Sequence, residues 1–208
     1  MKKLVILFVL VAAVLSRAQK GNRNVLWEPP HINWPVSGIN GSVIHRLSIS
    51  GYPIVLDRTS LEKARQRLGG VIGSRGDAGD AESWFCLHGT DTDGPWILWL
   101  TSDEINGDSV GGFIWRRVDL GQSLDPRCRS LDGQDLVKLQ PPLKLGVTKA
   151  GATRFLGAPS STRDNSLFYM HEKKKTIDAT EYTISNGVEV TIRNGTVAQI
   201  AAFEISSN

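Results

Sequence analysis

Cys86 and Cys128 are the two cysteines of the chain. A lone pair of this kind has two ordinary chemistries, a disulfide in an oxidising compartment or a share in a metal site. Zinc needs further ligands at close spacing, and the nearest histidine, His88, stands in no such motif. The pair therefore reads as a bridge, with no metal assigned. Asp91-Thr92-Asp93-Gly94 begins like a calcium loop but lacks the later oxygen ligands and the closing glutamate, so it reads as a turn. There is no Gly-x-Ser-x-Gly and no cysteine–histidine nucleophile motif. Gly69-Gly70-Val71-Ile72-Gly73 lacks the Lys-Ser/Thr ending of a phosphate loop. The acids are scattered through turns, and no carboxylate pair is forced together. No catalytic residue and no cofactor is assigned, and the chain leans away from an enzyme.

The aromatic residues carry the strongest hint of binding. All six tryptophans fall within residues 27–115. Strand-like runs at 84–88, 96–101 and 112–119 place them on alternating faces. In the last hairpin Val188, Val190 and Ile192 alternate with polar residues, and in the last strand Val197, Ala201, Phe203 and Ile205 share a face; aligning the strand ends Ile205 and Val118 assigns Ile114 and Val118 to the core, with Phe85 and Leu87. The other face then carries Trp84, His88, Phe113, Trp115 and Arg117. Such an aromatic and arginine-bearing face suits a protein partner. The competing reading is that the arm with Trp27 and Trp34, or the second half of the chain, covers it.

Those strands belong to what reads as a repeat. Residues 59–69 and 147–157 are short helix patterns closed by Leu68-Gly69 and Leu156-Gly157. Phe85-Cys86-Leu87-His88 follows the first, and Phe168-Tyr169-Met170-His171 the second. Thr59 with Glu62 forms a capping box, and Thr148 is an N-cap. Asn194-Gly195 marks a hairpin. The fold class expected is α+β, two helix-on-antiparallel-sheet repeats with an N-terminal extended arm. The divisions are a signal peptide at 1–18, arm and strand segment at 19–58, repeat one at 59–120, a linker at 121–145 and repeat two at 146–208.

Met1-Lys2-Lys3, the apolar run 4–15 and Ser16-Arg17-Ala18 form a secretory signal pattern. The run is too short for a spanning helix. The 24 Lys and Arg against 21 Asp and Glu include Lys2, Lys3 and Arg17. Removing residues 1–18 leaves 21 of each, so no nucleic-acid footprint is expected. A periplasmic or secreted chain with no membrane span in its mature form follows. Lys173-Lys174-Lys175 reads as a solvated hairpin end.

Leu145-Gly146-Val147-Thr148, the helix, Leu156-Gly157-Ala158-Pro159 and the Asn194-Gly195 hairpin resemble the small periplasmic modules of the SmpA/BamE type. They are also similar to the β-lactamase inhibitor protein, which doubles such a module. The likeness covers about 60 residues, and Gly69-Gly70 replaces the Gly-x-Pro in the first half. It implies envelope scaffolding or inhibitory protein binding. The expectation is a non-enzymatic protein-binding module. The alternative is an envelope hydrolase or small-ligand-binding protein with acidic residues in the cleft between the repeats.

Overall fold

The structure, a computed structural model, describes residues 25–34, 43–77, 80–133, 136–177 and 180–207. The expected signal peptide lies outside the described residues.

Alternating apolar and polar residues build most of the chain into strands. In order the elements are β1 (Val25–Leu26), β2 (Arg46–Ile49), β3 (Tyr52–Val55), α1 (Leu61–Leu68), β4 (Gly73–Arg75), β5 (Glu82–Asp91), β6 (Gly94–Asp103) and β7 (Gly112–Arg117). Then come β8 (Ser123–Leu124), β9 (Arg129–Ser130), β10 (Val137–Gln140), α2 (Lys149–Leu156), β11 (Ser161–Arg163), β12 (Ser166–Ile177), β13 (Thr180–Arg193) and β14 (Thr196–Ser207). Both helices start as short polar caps dictate. Thr148 accepts from the Gly151 amide, as expected. On α1 the cap is Ser60, not Thr59. The Thr59 hydroxyl is taken by the Val55 amide, and Glu62 turns to Arg65 instead of closing a capping box. Gly69 and Gly157 end the helices at positive φ.

The expected α+β architecture of two helix-on-sheet repeats is overturned. The molecule is mostly β, and one large sheet runs through both expected repeats in the order β11-β12-β13-β14-β7-β6-β5-β4, with β9 beside β5. The joint is the antiparallel pairing of β14 with β7, from Gln199↔Arg116 to Phe203↔Gly112. That pairing removes two edges that would otherwise present unpaired backbone groups. The helices are too short to give each half a core of its own. Leu61, Ala64 and Leu68 of α1 join Ala152 and Leu156 of α2 in a single cluster. The stretch expected as a linker contributes structure as well. Its β10 pairs with β2 in a three-stranded sheet, β10-β2-β3, and brings Val137 and Leu139 into that same cluster. Residues 43–56, read as a strand or hairpin, form the β2–β3 hairpin around Ser50-Gly51, both at positive φ as a tight turn needs.

The large sheet has two covered faces. The core face meets both helices and the small sheet, and buries Phe85, Leu87, Leu100, Phe113, Trp115 and Tyr169 among others. The opposite face, here the arm face, carries Trp84, Cys86, Ile97, Trp99, Ile114 and Ala201. Beyond the sheet, β12 and β13 run on as a ribbon with exposed Lys173, Lys174 and Lys175 and an ion pair between Lys174 and Glu181. No helix of the described residues is long and apolar enough to cross a membrane.

Candidate functional site

Register decides where the expected binding residues go. Phe85 pairs with Leu100, and Leu100 with Phe113, so these three share the core face. Trp115 lies there too, packed edge-on against Trp96 at 6.2 Å between centroids. Ile114 faces the other way, with Trp84 and Cys86, and Val118 packs against that second cluster. The expected single face of Trp84, His88, Phe113, Trp115 and Arg117 is thus divided between two sides. Trp84, Phe113 and Trp115 are buried, with at most 4 % of their surface exposed. Arg117 is engaged internally, donating to Asp91 at 2.6 Å and to the Gly94 carbonyl at 2.9 Å, which clamps the β5–β6 turn. His88 is partly buried beside β9, and desolvation lowers its pKa from the ordinary value.

The arm face is closed by irregular chain. Cys86 and Cys128 are joined, which holds the 125–131 stretch to β5. β1 pairs in parallel with β8. Beyond it, Trp27 packs on Trp84 at 5.9 Å, its carbonyl accepts from the Trp99 indole, and Arg127 stacks over its ring at 3.9 Å. Arg75 donates to the Pro29 carbonyl and Arg163 to that of Asn33. Trp34 then sits against Phe203 at 4.6 Å and Phe168 at 6.5 Å. Phe203 lies over Gly187, where any Cβ would come within 2.2 Å of its ring. The arm thereby crosses the sheet from the β5 side to the β12 side.

The crossing leaves a gap. Under residues 30–34, at the β7–β14 joint, lies a cleft of about 390 Å³. Its apolar lining includes Ile32, Trp34, Ile114, Ala202 and Ile205. Ile105 adds an apolar side chain at its lip, 65 % exposed. The floor is open because the β7–β14 contact is tight: a Cβ on Gly112 would stand 2.8 Å from the Ala202 carbonyl oxygen. One wall is ionic. Arg75, Glu82 and Asp103 sit in one row across β4, β5 and β6, since Arg75 pairs with Glu82 and Glu82 with Asp103.

A polar clasp holds the β6–β7 loop beside this cleft. Asn106, which lines the cleft, donates to the Asp57 carboxylate at 3.0 Å and to the Glu204 carbonyl at 2.9 Å. Ser206 donates to the other Asp57 oxygen at 2.6 Å. The Glu204 side chain accepts from Asn186 at 3.4 Å. Burial raises the Glu204 pKa, opposed by His45 and reinforced by the Asp57 charge. Two acids thus lie close enough for one charge to raise the other's carboxyl, the kind of perturbation an enzyme can use. Neither carboxylate lines the cleft, however, and both Asp57 oxygens are occupied. The Asp57 carboxylate and the Glu204 backbone carbonyl fasten the loop, and the Glu204 carboxyl is taken by Asn186.

Ile32, Ile105, Asn106 and Glu82 are marked by no motif or alternation; Trp34 is expected only as a cover, and Ile205 only as a core residue. The one signal available was the notion of acids near the junction of the halves, which named no residue. No family model matches the chain, and neither a curated protein nor a solved structure is similar to it. The resemblance to the SmpA/BamE type therefore stands on its sequence motifs alone.

Proposed function

We propose that the chain is an exported, non-enzymatic binding protein that holds a small amphipathic molecule in the cleft beneath its arm. The observation that carries this reading is the cleft itself, which has the volume and the mixed lining of small-molecule sites. The signal pattern and the joined cysteines support work in the periplasm or outside the cell, where disulfides persist. A protein partner on the aromatic face has less support, because Trp84, Phe113 and Trp115 are spent on internal packing.

The test uses N-phenyl-1-naphthylamine, an uncharged apolar fluorophore. The purified chain should bind it saturably at one site. Ile205→Trp, which fills the cleft, should abolish that binding while the melting temperature holds. Absence of saturable binding to the native chain contradicts the reading.

A further inference from the structure

The cleft is acidic as well as apolar. Among the described residues Asp80, Glu82, Asp103 and Glu104 line it against one guanidinium, Arg75, four acids to one base. Arg75 balances only Glu82, which it holds at 2.5 Å. Its further contacts, to Glu28 at 3.6 Å and to the Pro29 carbonyl, fasten the arm, and among the described residues Asp80, Asp103 and Glu104 make no ion pair. Glu82 and Asp103 stand directly opposite each other on β5 and β6, a like-charge pair that is unfavourable by itself. One Asp103 oxygen caps the loop by accepting from the Ile105 and Asn106 amides. Among the described residues Glu104 makes no ion pair, and it is exposed at the lip next to Ile105.

We infer that the ligand is a cationic amphiphile: an apolar body seated against Ile114, Phe203 and Ile205, with an amine or quaternary ammonium group held by Asp103 and Glu104 beside Glu82. This rests on the reading that the cleft binds small molecules and adds the sign of the ligand. An alkyl chain suits the apolar floor. A positive head placed at the wall relieves the opposed carboxylates, and because Asp80 and Glu104 are exposed the attraction is screened as salt rises. An anionic head in the same place would add to the repulsion.

The test compares three probes of equal chain length by displacement of N-phenyl-1-naphthylamine: octyltrimethylammonium, octyl glucoside and octanoate. At low salt octyltrimethylammonium should displace the fluorophore at least tenfold more tightly than octyl glucoside, with octanoate weakest. The advantage should shrink as salt rises. Glu104→Gln, at an exposed position, should reduce the cation's advantage over octyl glucoside, both measured on that variant, about threefold, the scale of one partly exposed ion pair. If the fluorophore binds but octanoate or octyl glucoside matches the cation, the charge assignment is overturned while the binding cleft stands. If the fluorophore itself never saturates, the cleft reading fails and the inference falls with it.

Discussion

The two faces of the large sheet are built from the same alternating strands, yet they are closed in different ways. The core face is covered by α1, α2 and the β10-β2-β3 sheet, whose aliphatic side chains interlock with Leu98, Leu100, Val188 and Ile200. Regular elements fill that layer, and the pocket of about 290 Å³ at its rim is lined mostly by polar residues such as Arg117, Asp119 and Arg193. The arm face is covered by a chain with prolines at 29 and 30, anchored at separate points by a disulfide, two arginine contacts and tryptophan stacking. A cover fastened at points leaves room between them. The comparison teaches that the binding volume arises where packing is irregular, and that large aromatics mark the closed parts of both faces.

The sharpest test of this contrast is to damage each face in turn. Trp115→Ala removes a side chain 4 % exposed within the main core and should destabilise the chain by about 3–5 kcal/mol. A denaturant melt with an unchanged midpoint would place Trp115 outside the core. Removing the bridge by Cys86→Ala with Cys128→Ala should cost about 4 kcal/mol on the chain-entropy estimate for a separation of 42 residues. It should also loosen the arm, read as faster amide exchange around Trp27. Trp34→Ala should cost less, about 1–2 kcal/mol, because the ring is only partly buried. It should weaken fluorophore binding, whereas Leu156→Ala, with about 2–5 kcal/mol lost from the core, should leave affinity nearly intact in the folded fraction. Equal effects of both changes on affinity would erase the distinction between the faces.

The smallest effect concerns the Glu204 carboxyl beside the clasp. A carboxyl whose pKa is raised in the fold is penalised when charged. The penalty is full above the folded pKa and fades as pH falls through it toward the ordinary value of 4.5. Glu204→Gln should therefore melt higher than the native chain near pH 7, and the difference should vanish by about pH 4. A pH-independent difference would mean that Glu204 is not held in the burial described.

Much of the secondary structure was legible in the chain. The tight turns at Asp91-Thr92-Asp93-Gly94 and Asn194-Gly195, the two helix stops and the Cys86–Cys128 bridge all follow from local rules. The assignment of faces failed for one physical reason. β14 carries a bulge: Thr191 pairs with Gln199 and Ile192 with Val197, leaving Ala198 extra. Val197 and Ile200 can then both reach the core face, whereas strict alternation from Val197 puts Ala201, Phe203 and Ile205 there instead. A one-residue slip reverses every later side chain. The comparison of strand ends carried that reversal into β7 and moved Phe113 and Trp115 to the wrong side. The fusion of β7 with β14 was not legible because strand partners distant in sequence leave no local mark. The cleft was hidden for a related reason. Its residues come from the arm, β4, β5, β6, the β6–β7 loop, β7 and β14, which only the long-range topology brings together.

The central claim is that the arm face, at the β7–β14 joint, is where a ligand sits. Amide chemical shifts of the isotopically labelled chain, followed by nuclear magnetic resonance while octyltrimethylammonium is added, test it directly. Saturable shifts should gather at Ile32, Trp34, Ile105, Gly112 and Ile205, with the core-face residues Phe85 and Val188 little moved. Saturable shifts centred on the core face, or on the Lys173–Lys175 ribbon, would contradict the account.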